Sequence, residues 1–405
     1  MPEMTTATVA FAAPPNPFGD LIATTQQALA QPMGPWPGAH LPDWVIYPLA
    51  MLVACAAVLG FIAVAAMVLI YLERKISGHI QSRLGPMRTG WHGILQSVAD
   101  AIKLLFKEDL VPDASNRFLY SFAPVLVFVG ALTPFVAIPF APNVVVANMS
   151  IGLFYILAFA SLEVIGVLAA GWATSSKWSL YGGMRVGAQM MSYEIPLSLS
   201  VLVVVALAGS LNMSVIANEQ LYLPFVMQSP WALVAFFLFY ISALASAKRA
   251  PFDLPEAESE LVSGFHTEYS GMRFAYFFLA EYTSMVVLSA IGAIVFLGGW
   301  NFPFPAANSP WLGALQLFIK VSALLFVMIW IRWTIPRVRI DQVMYICLKV
   351  LLPMALICLM GAALQVVGVP AWAMWIVFAA TVAGITIHGR RIEKARALEP
   401  SQQTA

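Results

Sequence analysis

Long apolar runs alternate with short polar joints along this chain. Windows of about 19–20 apolar residues, the length that suits the hydrocarbon thickness of a bilayer, recur at 44–72, 118–140, 150–173, 187–209, 231–247, 274–297, 311–331, 343–367 and 370–388. The spacing predicts nine membrane-spanning helices. Two segments break the pattern. In GWHGILQSVADAIKLLFKED, Gln96, Asp100, Lys103 and Lys107 recur at helical spacing while Ile94, Leu95, Val98, Ile102 and Leu105 fill another face. This piece is too short and too charged to span, so it predicts an amphipathic helix over 92–107, either lying in the membrane interface or packed on neighbouring protein. The second is KRAPFDLPEAESELVSGFHTEYSGMRF, which sets five carboxylates and a histidine between two of the most apolar stretches.

Composition agrees with the pattern. The 405 residues are 60% hydrophobic and 10% charged, with a mean hydropathy of +0.82, far outside soluble averages. The expected fold is an all-α polytopic membrane protein, with one transmembrane domain over 44–388 and no separate soluble domain. Residues 1–43 have no basic start and are rich in Ala, Pro and Thr, so they read as a disordered exposed arm rather than a cleaved signal. Residues 389–405 read as a polar tail.

Basic residues give orientation, because Lys and Arg accumulate on the cytoplasmic side. The segments 1–43, 141–149, 211–230, 298–310 and 368–369 contain none of the 21. Apart from Lys320, which falls within the seventh span, the basic residues sit in or beside the alternate joints and the tail. The amino terminus is therefore expected outside and the carboxyl terminus inside, with the acidic 248–273 loop on the cytoplasmic face.

Several chemistries are excluded by what the chain lacks. Cys55, Cys347 and Cys358 have no C-x-x-C spacing, so no iron–sulfur or structural zinc ligand set is present. His40, His79, His92, His266 and His388 lie in joints or at span ends, which leaves no transmembrane pair for haem. No P-loop or G-x-G-x-x-G segment occurs, and the acids after residue 252 lack the EF-hand pattern. No nucleic acid is expected as a partner. If the protein serves redox chemistry, the electrons travel through another chain.

What the spans do contain is ionisable groups at depth: Glu163, Glu194, Glu281 and Lys320. Each costs about 2.5–3.5 kcal/mol at a helix centre and so calls for a partner, a wet cavity or a function. Lys349, near a span end, can snorkel. Asp253, Glu256, Glu258, Glu260 and Glu268, with His266, crowd the joint beside Glu194 and Glu281. Carboxylates crowded in a low dielectric repel one another and titrate nearer neutrality, which suits groups that take up and release protons. The alternative is that the loop acids pair with Arg249, Arg273, Lys177 and Arg185 or remain solvated.

Across residues 68–350 the chain resembles the membrane protein that holds the quinone chamber of respiratory complex I, the H subunit of bacterial NADH:quinone oxidoreductase. The resemblance rests on YLERK at 71–75, SRLGP at 82–86, GILQSVADAIKLLFKED at 93–109, GWATSSKWSLYGGMR at 171–185, SYEIP at 192–196, RAPFDLPEAESELVSGFHTEYSGM at 249–272, AEY at 280–282 and IWIRWTIPRVRIDQVM at 329–344. It implies a multi-pass protein of the bacterial inner membrane. In it quinone, the bound substrate, enters from lipid between the first helix and the 92–107 segment and threads a tunnel. NADH, FMN and iron–sulfur clusters would belong to peripheral-arm partners, and small and antiporter-like membrane subunits would complete the complex. By matching positions, Glu73, Arg74, Arg83, Gly85 and Pro86 look like chamber-lining residues. Glu194, Glu256, Glu258, Glu260 and Glu281 look like an acidic path coupling the chamber to proton translocation. Arg249 looks like its cationic partner beside Asp253, and Lys320 like a buried counter-ion.

This chain departs from the family pattern in three places. Many family members carry a glutamate three residues before the arginine, where this chain has Ser246. Glu163 falls outside the matched segments and is a candidate to supply the missing carboxylate. The ninth span exceeds the eight common in the family. Two other classes fit the buried charges: a stand-alone ion transporter, and the membrane anchor of a related membrane-bound hydrogenase.

Overall fold

The computed structural model describes residues 43–142, 144–254, 262–305, 309–370, 372–379 and 381. Glu256, Glu258 and Glu260, the arm 1–42 and the tail from 382 lie outside these.

The described elements are helical, as a chain in hydrocarbon must be to satisfy its backbone groups internally. In chain order they are α1 (Asp43–Ile80), α2 (Gln96–Phe106), α3 (Arg117–Leu132), α4 (Gly152–Ala173), α5 (Lys177–Ala208), α6 (Met213–Glu219), α7 (Phe225–Gln228), α8 (Pro230–Ser246), α9 (Gly271–Val295), α10 (Pro310–Thr334) and α11 (Ile340–Tyr345). A π-helical stretch, Ile346–Leu351, joins α11 to α12 (Leu352–Val366) in one continuous rod. Seven of these helices or rods are long and apolar enough to cross a membrane, and the fifth predicted span is the shorter apolar α8. The ninth predicted span, 370–388, falls largely outside the described residues, so nine spans are not established.

α9 is the axis of the bundle. Of its most apolar window 83% is buried, while no other span exceeds 44%; the others turn a wide face outward, as lipid-facing helices do. α3 packs on α4, α4 on α5, α5 on α8 and α12, and α9 touches α3, α8 and α10. α1 has 38 residues, about 57 Å at 1.5 Å per residue, nearly twice the ~30 Å hydrocarbon layer. Its C-terminal turns, which hold Glu73 and Arg74, therefore run on past the apolar zone.

Several local features place the groups described below. Gly182 of α5 lies so close to the backbone of Gly264 and Phe265 that a Cβ would collide with it, and this lets the 3-10 turn Gly264–His266 seat on α5. Gly85 lies less close to the carbonyl of Arg74 and to Lys75, where a Cβ would crowd them without colliding, and the 81–86 joint folds back on α1. The amphipathic helix α2 begins after a 3-10 turn at Trp91–Gly93. It packs against α1 and α9, while Leu95, Val98, Ile102, Leu105 and Phe106 stay exposed.

Candidate functional site: a buried network of acids and cations

The site starts at the end of α8. Lys248 donates its N–H to the carbonyl of Ala245 and Arg249 to that of Leu244, the paired bonds of a Schellman ending, in which the residue after the cap is left-handed. That residue is Lys248, with φ +55°. The turn sends two consecutive cations from one loop toward different acids.

Arg249 goes to the first group. Its Nη1 lies 3.1 and 3.2 Å from the two oxygens of Glu73 on α1, and its Nε pairs with Glu281 Oε1 of α9 at 2.7 Å. The guanidinium covers the ring of Tyr282 at 4.4 Å. The Tyr282 hydroxyl donates to Glu73 Oε2 at 2.7 Å, and Arg332 of α10 pairs with Glu73 Oε1. Burial alone would lower the Arg249 pKa, but the fields of Glu281 and Glu73 outweigh it and hold the guanidinium charged.

Lys248 goes to the second group. Its ammonium lies 2.6 Å from Glu163 Oε1 of α4, and Ser284 of α9 donates to Glu163 Oε2 at 2.9 Å. Glu73, Glu163, Lys248, Arg249 and Glu281 are each no more than 7% exposed. Charges this deep are tolerated only when paired and hydrogen-bonded. Glu163, Glu194, Ser198, Ser246 and Ser284 line one cavity of about 70 Å³, roomier than the ~10–15 Å³ that a single water needs. Glu194, half-buried, forms no ion pair among the described residues.

His266 occupies the far side of Lys248, sharing a small cavity with Lys248, Phe265 and Glu281. Burial first, and the Lys248 charge second, push its pKa down to about 4, so the imidazole is neutral near pH 7. Among the described residues no cluster of three or more His, Cys, Asp or Glu side chains could hold a metal ion.

Glu73, expected along the chamber, joins Glu281 through Arg249. Arg74 is exposed and pairs with Asp100 of α2, which Gln96 also holds; Arg83 is exposed, and Gly85 and Pro86 are half-buried beside it. Asp253 is half-buried one turn beyond Arg249. Among the described residues Arg249 pairs with Glu73 and Glu281, and Arg273 with Asp109; the loop acids Glu256, Glu258 and Glu260, considered as partners, lie outside the described residues. Lys320, expected as a counter-ion, instead donates to the carbonyls of Leu297 and Gly299 at 2.7 Å each. The reason is its register: it faces the C-terminal end of α9, where unpaired carbonyls collect. Lys248, Tyr282, Ser284 and Arg332 are site members that the sequence pattern does not single out; Tyr282 and Arg332 lie within matched motifs and Lys248 beside Arg249, which is the signal the sequence offers.

The family described as NADH dehydrogenase matches residues 53–363. The H subunit of the NADH-quinone oxidoreductase of Chlorobium luteolum is 48% identical over 339 residues, covering 80% of this chain and 91% of that protein. The H subunits of Chlorobaculum tepidum, 46% identical over 79% of this chain and 94% of that protein, and of Anaeromyxobacter dehalogenans, 40% over 85% and 88%, are similar along the same region. With a family match across most of its length and relatives aligned nearly end to end, the chain belongs to the NADH dehydrogenase family, beside the H subunits of NADH-quinone oxidoreductases.

Proposed function

We propose that the chain is the subunit of an inner-membrane NADH-quinone oxidoreductase that forms the quinone tunnel and passes the effect of quinone reduction to proton translocation. The observation that carries this reading is a pair of runs of buried ionisable groups that start from two consecutive cations, one from Arg249 to Glu73 and Glu281, the other from Lys248 through Glu163 to the Glu194 cavity. Apolar residues of similar volume often pack as stably as buried ion pairs, which favours a working role for three buried acids.

In this reading quinone is the substrate. It enters beside α2, whose exposed apolar face fits lipid, and passes the 73–86 segment with Arg74, Arg83, Gly85 and Pro86. NADH, FMN and iron–sulfur clusters belong to peripheral-arm partners, and small and antiporter-like membrane subunits carry most of the pumping. Glu256, Glu258 and Glu260 join the path from the loop, with Asp253 at its edge. Glu163 takes the place of the carboxylate absent at Ser246, a role supported by the cavity these two share with Glu194. The amino terminus is periplasmic and the carboxyl terminus cytoplasmic, as the basic residues argue.

Purification of the intact complex in mild detergent tests the assignment. An NADH-oxidising arm should co-purify, whereas nickel–iron subunits in its place would overturn it. Within that complex Glu281→Gln should assemble and lose about a hundredfold in NADH:quinone turnover, at the lower end of the range for a positioned proton-transfer group. Wild-type turnover in the assembled variant would remove Glu281 from the path.

A further inference from the structure

Lys248 has three properties that nothing in the helix-ending turn requires. The left-handed position after a helix cap is the usual place of glycine, because a Cβ there costs energy that glycine avoids. Here a lysine occupies it at φ +55°. Its ammonium is buried, which is costly for an amine without a partner, and it is aimed at Glu163 Oε1 at 2.6 Å. The same side chain also lines the cavity that holds Glu281 and His266. Ser246, two residues earlier, lines the other cavity with Glu163 and Glu194. Lys248 therefore lies between the two groups of acids, beside the position where this chain has no carboxylate.

The geometry points to Lys248 as the positioning residue that joins the Glu73–Arg249–Glu281 group to the Glu163–Glu194 group, its ammonium held by Glu163 on one side and sharing a cavity with Glu281 on the other. This rests on the acidic-path reading above. Among the described residues three titratable groups adjoin the ammonium: Glu163 from α4 in the ion pair, and Glu281 from α9 and His266 from the loop in the shared cavity. His266 is neutral and Arg249 is already held by Glu73 and Glu281, so the carboxylates are the groups that set where the ammonium rests. A change of charge on Glu281 alters the pull on Lys248, and that alters its hold on Glu163. Arginine could keep the charge but not the compact, flexible reach of an ammonium on a four-carbon stem.

The test uses the assembled complex in inverted membrane vesicles, with NADH:quinone turnover and proton uptake measured together. Lys248→Gly suits the left-handed turn, so a defect in it does not arise from the backbone. Glu163→Gln/Lys248→Met removes both charges, leaves no buried ion unpaired, and should assemble. Both variants should lower proton uptake per quinone reduced roughly 2- to 30-fold, the range for residues that modulate coupling between sites. Lys248→Arg should recover part of the loss, and the double variant should be no worse than Glu163→Gln alone. Wild-type coupling in Lys248→Gly or in the double variant overturns the inference, as does a double variant that fails to assemble, because the pair would then be a structural support. Glu281→Gln in the same vesicles separates the two levels. If it is silent the acidic path itself fails, whereas a defect there beside normal Lys248 variants removes only the role given to Lys248.

Discussion

The middle of α9 and its C-terminal end solve the same problem in different ways. At the middle, Glu281 and Ser284 meet acids and cations drawn from α1, α4, α10 and the loop after α8. At its far end the polar groups meet backbone. Gln220 donates to the carbonyls of Ile216, Ile294 and Val295, Lys320 to those of Leu297 and Gly299, and Asn301 to that of Ala217. The far end is satisfied by acceptors that never change charge, so it is fixed. At the middle each cation has carboxylate partners, and Glu73 is shared by Arg249, Arg332 and Tyr282, so a proton gained or lost by one acid redistributes the bonds of the others. Burial of charge alone does not mark a working site; charge buried among groups that titrate does.

Removing Arg249 should cost the most. Arg249→Met leaves Glu281 without its cation and Glu73 with Arg332 alone, a loss of about 3–5 kcal/mol for a broken buried pair. The protein should fail to accumulate in the complex on a native gel. At the far end Lys320→Met frees two carbonyls that are only partly shielded, so the thermal stability of the complex should fall by about 1 kcal/mol while proton uptake per quinone stays unchanged. A coupling defect in that variant would erase the distinction between the middle of α9 and its far end.

The smallest effect concerns His266. Its folded pKa of about 4 lies below the usual 6.5, so the unfolded chain binds the extra proton first as pH falls. The stabilisation from a neutral His266 is whole above pH 6.5 and is lost progressively from there to about pH 4. His266→Phe should make the acid-side decline in melting temperature shallower and leave the melting temperature at pH 8 nearly unchanged.

Much of the bundle is legible in the sequence because hydrocarbon selects long apolar runs, and those runs fix where helices cross. The predicted 231–247 and 274–297 spans correspond to α8 and α9, and the predicted amphipathic 92–107 to α2. The acids Glu163, Glu194 and Glu281 stand out for a related reason: a carboxylate within an apolar run is costly and rare. Pairing is not legible. Glu73 and Arg249 are 176 residues apart and Lys248 and Glu163 are 85 apart, and helical spacing says which residues share a face without saying which faces meet. For the same reason the pattern does not show that Glu73 pairs with Arg249, nor that Lys320, read as a counter-ion, turns to the carbonyls at the end of α9.

In the proposed coupling, carboxyl groups of this network change protonation when quinone is reduced. A reduced-minus-oxidised infrared difference spectrum of the intact complex reads this directly in the carboxyl stretch, with deuterium exchange to identify it. The account predicts a carboxyl band that shifts in heavy water and disappears in Glu194→Gln, the variant of the one path acid described here without an ion pair. Identical spectra from the wild-type and variant complexes, or no carboxyl band in either, would contradict it.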